Sequence, residues 1–319
     1  MKNSPIILVL GDLMVDRYYH GTTNRISPEA PIPVIKIEHE EMRLGGAANV
    51  INNLSQFHAT VYAVGTIGND IEGKFLKNSL KRKGVNVEGI ISINSNTTIK
   101  NRILVDHHTL ARFDKENIHE LSHTDQNKLL RYIKKISNKI QCIIVSDYDK
   151  GIVNIHLLDY LKKISLQNKI PFIVDPKKKN HHLKYGNQCI IKTNYQNAKF
   201  VASKFSSLKS YNDDFLLKFL KKTNQCKSVI ITKGKDGVVA LDDNKIYRIT
   251  NSEKNVYDVT GAGDVVLAVF SYCLILGYSF ESCCKIANLA AGIKVGKVGT
   301  YAITKKELEG IIDNERKNS

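Results

Sequence analysis

Short, unbroken apolar runs recur along the chain, and each ends in a polar turn. Ile6–Leu10 runs into Gly11-Asp12, and Cys142–Val145 into Ser146-Asp-Tyr-Asp-Lys-Gly151. Pro171–Val174 runs into Asp175-Pro-Lys177, Ile190-Ile191 into Lys-Thr-Asn194, and Val229–Thr232 into Lys-Gly234. Thr60–Gly65 is a further run of this kind. Runs without alternation predict strands covered on both faces. Stretches of helical pattern, Asp125–Asn138 and Ile155–Leu166, separate some of them. Strand and helix taking turns predict an α/β fold with a mostly parallel central sheet flanked by helices. Ligands of such sheets bind beyond the carboxyl ends of the strands, where the polar turns fall. Toward the end, Val265–Leu276 and the small apolar stretch Leu289–Gly299 predict packed helices.

Two stretches break this rhythm. Thr22–Pro33 holds Ile26-Ser-Pro-Glu-Ala-Pro-Ile-Pro33, and its three prolines exclude a helix and predict an irregular, extended segment. Val34–Glu38 after it has strand composition. Thr97–Val105 and Leu110–Phe113 flank Asp106-His-His-Thr109 as a hairpin, whose His107 and His108 read as solvated tip residues rather than metal ligands. Together these predict a small β-strand lid within about 12–40 and 97–114. No linker, composition shift or repeat divides the chain, so residues 1–319 read as one domain.

The chemistry concentrates where glycines meet helices. Asp258-Val-Thr-Gly-Ala-Gly-Asp264 leads directly into Val265–Leu276. The first amides of a helix lack internal partners and, with the helix dipole, favour an anion. Asp264 falls on the first turn beside that anion site, where a carboxylate can take a proton from a substrate hydroxyl. The structural alternative is an aspartate that simply caps its helix. Arg43-Leu-Gly-Gly-Ala-Ala-Asn49 is a second junction of this type, with Asn49 able to donate to and accept from a hydroxyl. Gly68-Asn-Asp-Ile-Glu-Gly73-Lys74 nearly matches a P-loop, but Phe75 stands where the metal-binding hydroxyl belongs, and it reads as an ordinary loop-to-helix junction.

Composition adds bounds. The formal charge is +16, but lysine is spread along the whole chain without a basic stripe, which argues against a nucleic-acid partner. The longest apolar block is shorter than the roughly 20 residues that span a bilayer, so no membrane partner is expected. There is no N-terminal signal pattern. The six cysteines form no C-x-x-C pair, which fits a reducing, cytoplasmic setting.

The order of motifs resembles the ribokinase-like, or PfkB, sugar kinases over essentially the whole chain. The carriers are the Gly-Gly-to-Asn junction, the Asn194 loop, the Thr232-Lys-Gly234 turn and the Asp-x-x-Gly-Ala-Gly-Asp signature. Gly11–Arg17, Arg25–Val34, Ser146–Gly151 and Tyr257–Asp264 look most like the kinase half of the bacterial bifunctional heptose enzyme family. That family phosphorylates D-glycero-β-D-manno-heptose 7-phosphate at O1 on the path to ADP-heptose of lipopolysaccharide. In many members a cytidylyltransferase-like domain follows; with no H-x-G-H here, a kinase without that domain is expected.

The resemblance implies Asp264 as catalytic base, with Gly261, Ala262 and Gly263 as anion hole. It implies Asp16, Gly45, Gly46 and Asn49 on the sugar side, and Asn194, Thr232, Gly234 and Asn288 on the nucleotide side. It implies ATP with Mg²⁺, often K⁺ activation, and a homodimer joined through the lid. The substrate's phosphate needs cations, for which Lys100, Arg102, Arg112, Lys150 and Lys177 are candidates. One departure stands out. The family's Asn-x-x-Glu is Asn194-Tyr-Gln-Asn197 here, so Asn197 offers an amide where a carboxylate helps organise Mg²⁺ through water. Val265 also replaces a common threonine. A PfkB kinase for another sugar, and a decayed member that binds nucleotide without turnover, stay open as alternatives.

Overall fold

A computed structural model describes residues 4–106, 108–177, 184–205, 210–251, 258–297 and 299–318. The central sheet combines β1 (Ile6–Gly11), β4 (Thr60–Gly68), β5 (Asn86–Ile93), β8 (Cys142–Ser146), β9 (Phe172–Asp175), β10 (Cys189–Asn194), β11 (Ser228–Thr232), β12 (Val238–Asp242) and β13 (Lys245–Ile249). Its order is β13-β12-β11-β10-β9-β8-β1-β4-β5. All pairings are parallel from β5 to β11, while β12 and β13 add antiparallel at the edge. That antiparallel end follows from the tight turns Lys233–Gly237 and Asp242–Lys245, which leave no room for a crossover helix.

Successive residues of a strand serve opposite faces. Ile7 and Val9 of β1 join one buried cluster, and Leu8 and Leu10 the other. The first cluster includes residues from α1 (Ala47–Gln56), α2 (Ile71–Arg82), α7 (Ala262–Ile275), α8 (Phe280–Val295) and α9 (Lys305–Asn318). The second draws on α3 (His123–Ile136), α4 (Ile155–Asn168), α5 (Tyr195–Phe205) and α6 (Asp213–Asn224). Helices on both faces explain why the strands read as unbroken apolar runs.

The lid is a separate sheet of β2 (Leu13–Ile26), β3 (Pro33–Gly46), β6 (Thr98–Val105) and β7 (His108–Lys115), in the order β3-β2-β6-β7. Against the expected 12–40 and 97–114, its strands fall within 13–46 and 98–115, so β3 runs on to the Gly45-Gly46 junction, and one stretch differs in kind. Thr22–Ile26 is not irregular: it continues β2 and pairs with Pro33–Lys36 of β3, and only residues 27–32 turn back. The prolines sit in and beside that turn, where no ladder donor is required. His107 lies outside the described residues, and His108 is exposed with its ring Nδ1 2.9 Å from the Asp106 carbonyl.

Gly68–Lys74 is the loop-to-helix junction expected, with Asp70 capping α2 through the Gly73 amide at 2.8 Å. All six cysteines are buried and unpaired. Among the described residues no helix is long and apolar enough to cross a membrane.

Candidate active site

Several helices begin on a side-chain cap: Asp70, Ser122, Asn154, Asn212 and Ser279 each accept an amide of the first turn. α1 and α7 do not. They begin on Gly46 and Gly261, both at positive φ (55° and 80°), with no side-chain cap. These two helix starts meet. The side-chain amide of Asn49, in the first turn of α1, donates to Asp264 Oδ2 at 2.8 Å. Tyr148, just after β8, donates its hydroxyl to Asp264 Oδ1 at 2.6 Å.

Asp264 is thus buried between two donors. Burial pushes its pKa up, and the hydrogen bonds from Tyr148 and Asn49 hold it back. Both partners are themselves fixed. Asn53 donates to the Asn49 carbonyl at 2.9 Å, and the Tyr148 amide donates to Asp12 Oδ2 at 2.7 Å. Asp12 is a buried carboxylate whose pKa burial, and then Asp147, push up to about 7.

On one side of Asp264 lies a cleft of about 600 Å³. Asn194, Asn197, Thr232, Gly234 and Asn288 all line it, together with Ala262 and Gly263 of the signature. Residues far apart in sequence are therefore gathered on one cleft. Asn194 accepts the Asn197 amide at 2.8 Å and so starts α5; Asn197 is buried at the cleft wall.

Lys192 of β10 also lines this cleft, buried and paired with Asp175 at 2.7 Å. A β-carbon at Gly263 would lie 2.8 Å from its ammonium, so a side chain there would have to displace the cation from the helix start. Thr300 Oγ1 is buried without a hydrogen-bond partner among the described residues, and its methyl group lies beside Gly261. An uncapped helix start, a lysine and an orphaned hydroxyl together suit a transferring phosphoryl group.

On the other side is the lid. Asp16 of β2 is buried and accepts Arg102 of β6 at 2.6 Å. A β-carbon at Gly45 would lie 2.4 Å from Asp16 Oδ2, so this glycine admits the carboxylate. The five cations proposed for a substrate phosphate separate here. Arg102 is committed to Asp16, Arg112 pairs with Asp114 at 2.5 Å, and Lys150 with Glu116 at 2.7 Å. Lys100 and Lys177 instead converge on the Tyr148 ring, 4.6 and 4.5 Å from its centre. Burial lowers the Lys100 pKa; Asp16 opposes this, while Lys177 and Arg112 add to it.

The sequence profile of the pfkB family carbohydrate kinases matches residues 5–307. The chain belongs to this family. It is a sugar kinase, and the site above is where such a kinase can work. Curated relatives named bifunctional protein HldE are similar along nearly the whole chain. The one from a Nitratiruptor species is 37% identical over 308 residues, 96% of this chain and 64% of the relative. The one from Helicobacter hepaticus is 34% identical over 321 residues, 99% of this chain and 66% of the relative. The chain thus spans just under two thirds of the length of these relatives. Among solved structures, phosphofructokinase-2 from Escherichia coli, in complex with substrates and products, superposes with a TM-score of 0.78 at 16% identity, covering 97% of this chain and 99% of that one. Ribokinase from Thermotoga maritima gives 0.74 at 16% identity, covering 97% and 100%. At these identities the likeness is one of fold, and it is the ribokinase-like fold.

The residues that motifs put forward, Asp264, Asp16, Asn49, Asn194, Thr232, Gly234 and Asn288 among them, stay candidates for these roles. Tyr148 and Lys192 carry no motif that puts them forward. The signal for Lys192 was present: a lysine inside the strand Cys-Ile-Ile-Lys-Thr-Asn, where burial demands a partner.

Proposed function

We propose that this kinase transfers the γ-phosphoryl group of ATP to O1 of D-glycero-β-D-manno-heptose 7-phosphate, giving the 1,7-bisphosphate on the way to ADP-heptose for lipopolysaccharide. The relatives named HldE support this reading, as does the kinase half's motif set. The single observation that carries it is the pair Lys100 and Lys177. Two ammoniums converge on one ring, near Arg112 and without a carboxylate ion pair among the described residues. Such a cluster suits a dianion on the substrate, apart from the nucleotide's phosphates.

In this reading the sugar lies between Asp16 and Asn49, with its reacting hydroxyl toward Asp264. Asp264 removes the hydroxyl proton as the oxygen attacks phosphorus. Tyr148 and Asn49 keep the carboxylate oriented and ionised. Gly261, Ala262 and Gly263, with Lys192, receive the charge on the γ-phosphoryl oxygens. ATP occupies the cleft lined by Asn194, Thr232, Gly234 and Asn288.

Mg²⁺ would neutralise charge across the phosphates. Among the described residues no cluster of three His, Cys, Asp or Glu side chains is set to hold a metal alone. That suits an ion that keeps its waters and binds through the nucleotide, with Asn194 and Asn197 as the amides that would hold those waters.

We further propose a homodimer through the lid. β3 and β7 are its edges, every residue of β7 is exposed, and Ile26, Ile37, Leu110 and Phe113 present apolar surface. Exposed edges of this kind need covering. A monomer by light scattering at micromolar concentration would refute it. A reaction that consumes ATP and a sugar phosphate belongs in the cytoplasm.

The deciding experiment is ADP release over a panel containing heptose 7-phosphate, the same heptose without phosphate, fructose 6-phosphate and ribose. The expected result is turnover of heptose 7-phosphate, loss of rate without the phosphate, and a raised sugar KM in Lys100→Met and Lys177→Met. Equal turnover of the unphosphorylated heptose would overturn the assignment.

A further inference from the structure

Lys294 lies in the last turn of α8 and is completely buried, at 0% exposure. An ammonium buried this far is unfavourable unless something holds it. Its Nζ donates to the backbone carbonyl of Asp258 at 2.6 Å. Asp258 opens the loop that ends at Gly261–Asp264. Its carboxylate accepts the Thr260 amide at 2.8 Å and the Gly299 amide at 2.7 Å, and its own amide donates to the Val295 carbonyl at 2.9 Å. These bonds brace the loop internally and against the end of α8, and among the described residues Lys294 supplies the one charged donor.

The surroundings are those of a cation site. Asp258 and Asp264 attract the ammonium, while Arg43 and Arg102 repel it, and burial lowers its pKa to about 8. A free monovalent cation brought to the Asp258 carbonyl would meet the Lys294 ammonium 2.6 Å from that oxygen and be repelled by it. The K⁺ activation implied by resemblance therefore does not fit at this carbonyl.

We propose that the Lys294 ammonium serves this kinase as a built-in monovalent cation, holding the Asp258 carbonyl and through it the anion hole. It is a positioning residue: it meets the loop, not the substrate. The proposal rests on the chain's being a sugar kinase and is independent of which sugar it takes.

The test compares the wild type with Lys294→Met in sodium, potassium and ammonium chloride at equal ionic strength. Melting temperature is read first, because it requires no sugar, followed by ADP release. The wild type should show the same melting temperature and rate in all three salts. Lys294→Met should lose tenfold or more in kcat with a nearly unchanged sugar KM. Potassium or ammonium, but not sodium, should raise its melting temperature and restore part of the rate. A wild type stimulated severalfold by potassium would overturn the proposal, even if the variant did not fold. So would a folded variant with full rate in sodium, or one that responds to no cation. Failure of the heptose assignment would leave the melting data intact, so the two failures are distinguishable.

Discussion

The chain builds two helix starts with the same device and surrounds them with opposite charge. At α1, the space beside Gly45 and Gly46 is filled by the chain itself: the Asp16 carboxylate, the Asp12 carbonyl and Met14. At α7, the space beside Gly263 opens on the Lys192 ammonium, and a second ammonium, Lys294, holds the loop before it. The first junction offers oxygens and an amide, suited to hydroxyls. The second offers cations and an uncapped helix start, suited to phosphate. Two glycine patterns that look alike in sequence thus differ in the groups that face them, and side chains delivered by distant elements make the difference.

The largest expected effect comes from the group where the two junctions meet. Asp264→Asn should retain ATP binding and lose roughly 10²–10⁴-fold in kcat, the range for a missing general base. Near-normal turnover would break the assignment, and isothermal titration with ATP checks that the cleft survives.

Next come paired glycine substitutions. Gly263→Ala drives a methyl group into Lys192 and should raise the KM for ATP about tenfold, the loss of about 1.4 kcal/mol of binding. Gly45→Ala drives one into Asp16 and should raise the sugar KM by a similar factor while sparing ATP. Initial-rate kinetics varying each substrate in turn would expose a shared effect, which would erase the contrast.

Tyr148→Phe removes one of the two side-chain donors to Asp264 among the described residues. A hydrogen bond to a charged group contributes about 1.5–3 kcal/mol, so kcat should fall about tenfold or somewhat more. Tyr148 helps keep the Asp264 pKa down, so its loss should raise that pKa. Activity that depends on the carboxylate is lost as pH falls through its pKa, so the acid limb of kcat should move to higher pH. An unmoved limb would mean the hydroxyl does not act on the base.

A smaller effect is expected on the nucleotide side. Asn197→Glu should lower the Mg²⁺ concentration for half-maximal rate severalfold, as one added carboxylate near a hydrated ion suggests. The sugar KM should stay put. Overlapping Mg²⁺ titrations of the two proteins would show that position 197 does not organise the metal.

The smallest is a pH effect at the second junction. Lys294 carries a pKa of about 8 in the fold against 10.5 ordinarily. Above pH 8 it loses the proton that holds the loop, so kcat should decline on the alkaline side. Over the same window the unfolded chain keeps its proton, so this residue should make the fold more stable as pH rises. Rate and melting temperature moving together there would contradict this account.

Much of this organisation was legible in sequence because it is local. Apolar runs ending in polar turns marked the strands, and Gly261–Asp264 marked the helix start. What stayed hidden depends on pairing across distance. Thr22–Ile26 looked irregular because its partner, β3, begins only at Pro33. Arg102 looked like a free phosphate ligand because nothing local shows that Asp16, on the neighbouring strand β2, holds it. Tyr148 sits in the quoted stretch Ser146–Gly151, yet its role requires Asp264, 116 residues later.

The lid's topology also fixes an order in time. All four of its strands, with Asp16, Lys100 and Arg102, lie within the first 115 residues, whereas the proposed base stands at 264. During synthesis the surface proposed to receive the sugar therefore leaves the ribosome well before the group proposed to activate it. Any nascent chain that has passed the lid but not yet reached residue 264 carries all four lid strands without the carboxylate proposed to take the proton. Phosphoryl transfer by the proposed route therefore waits for α7.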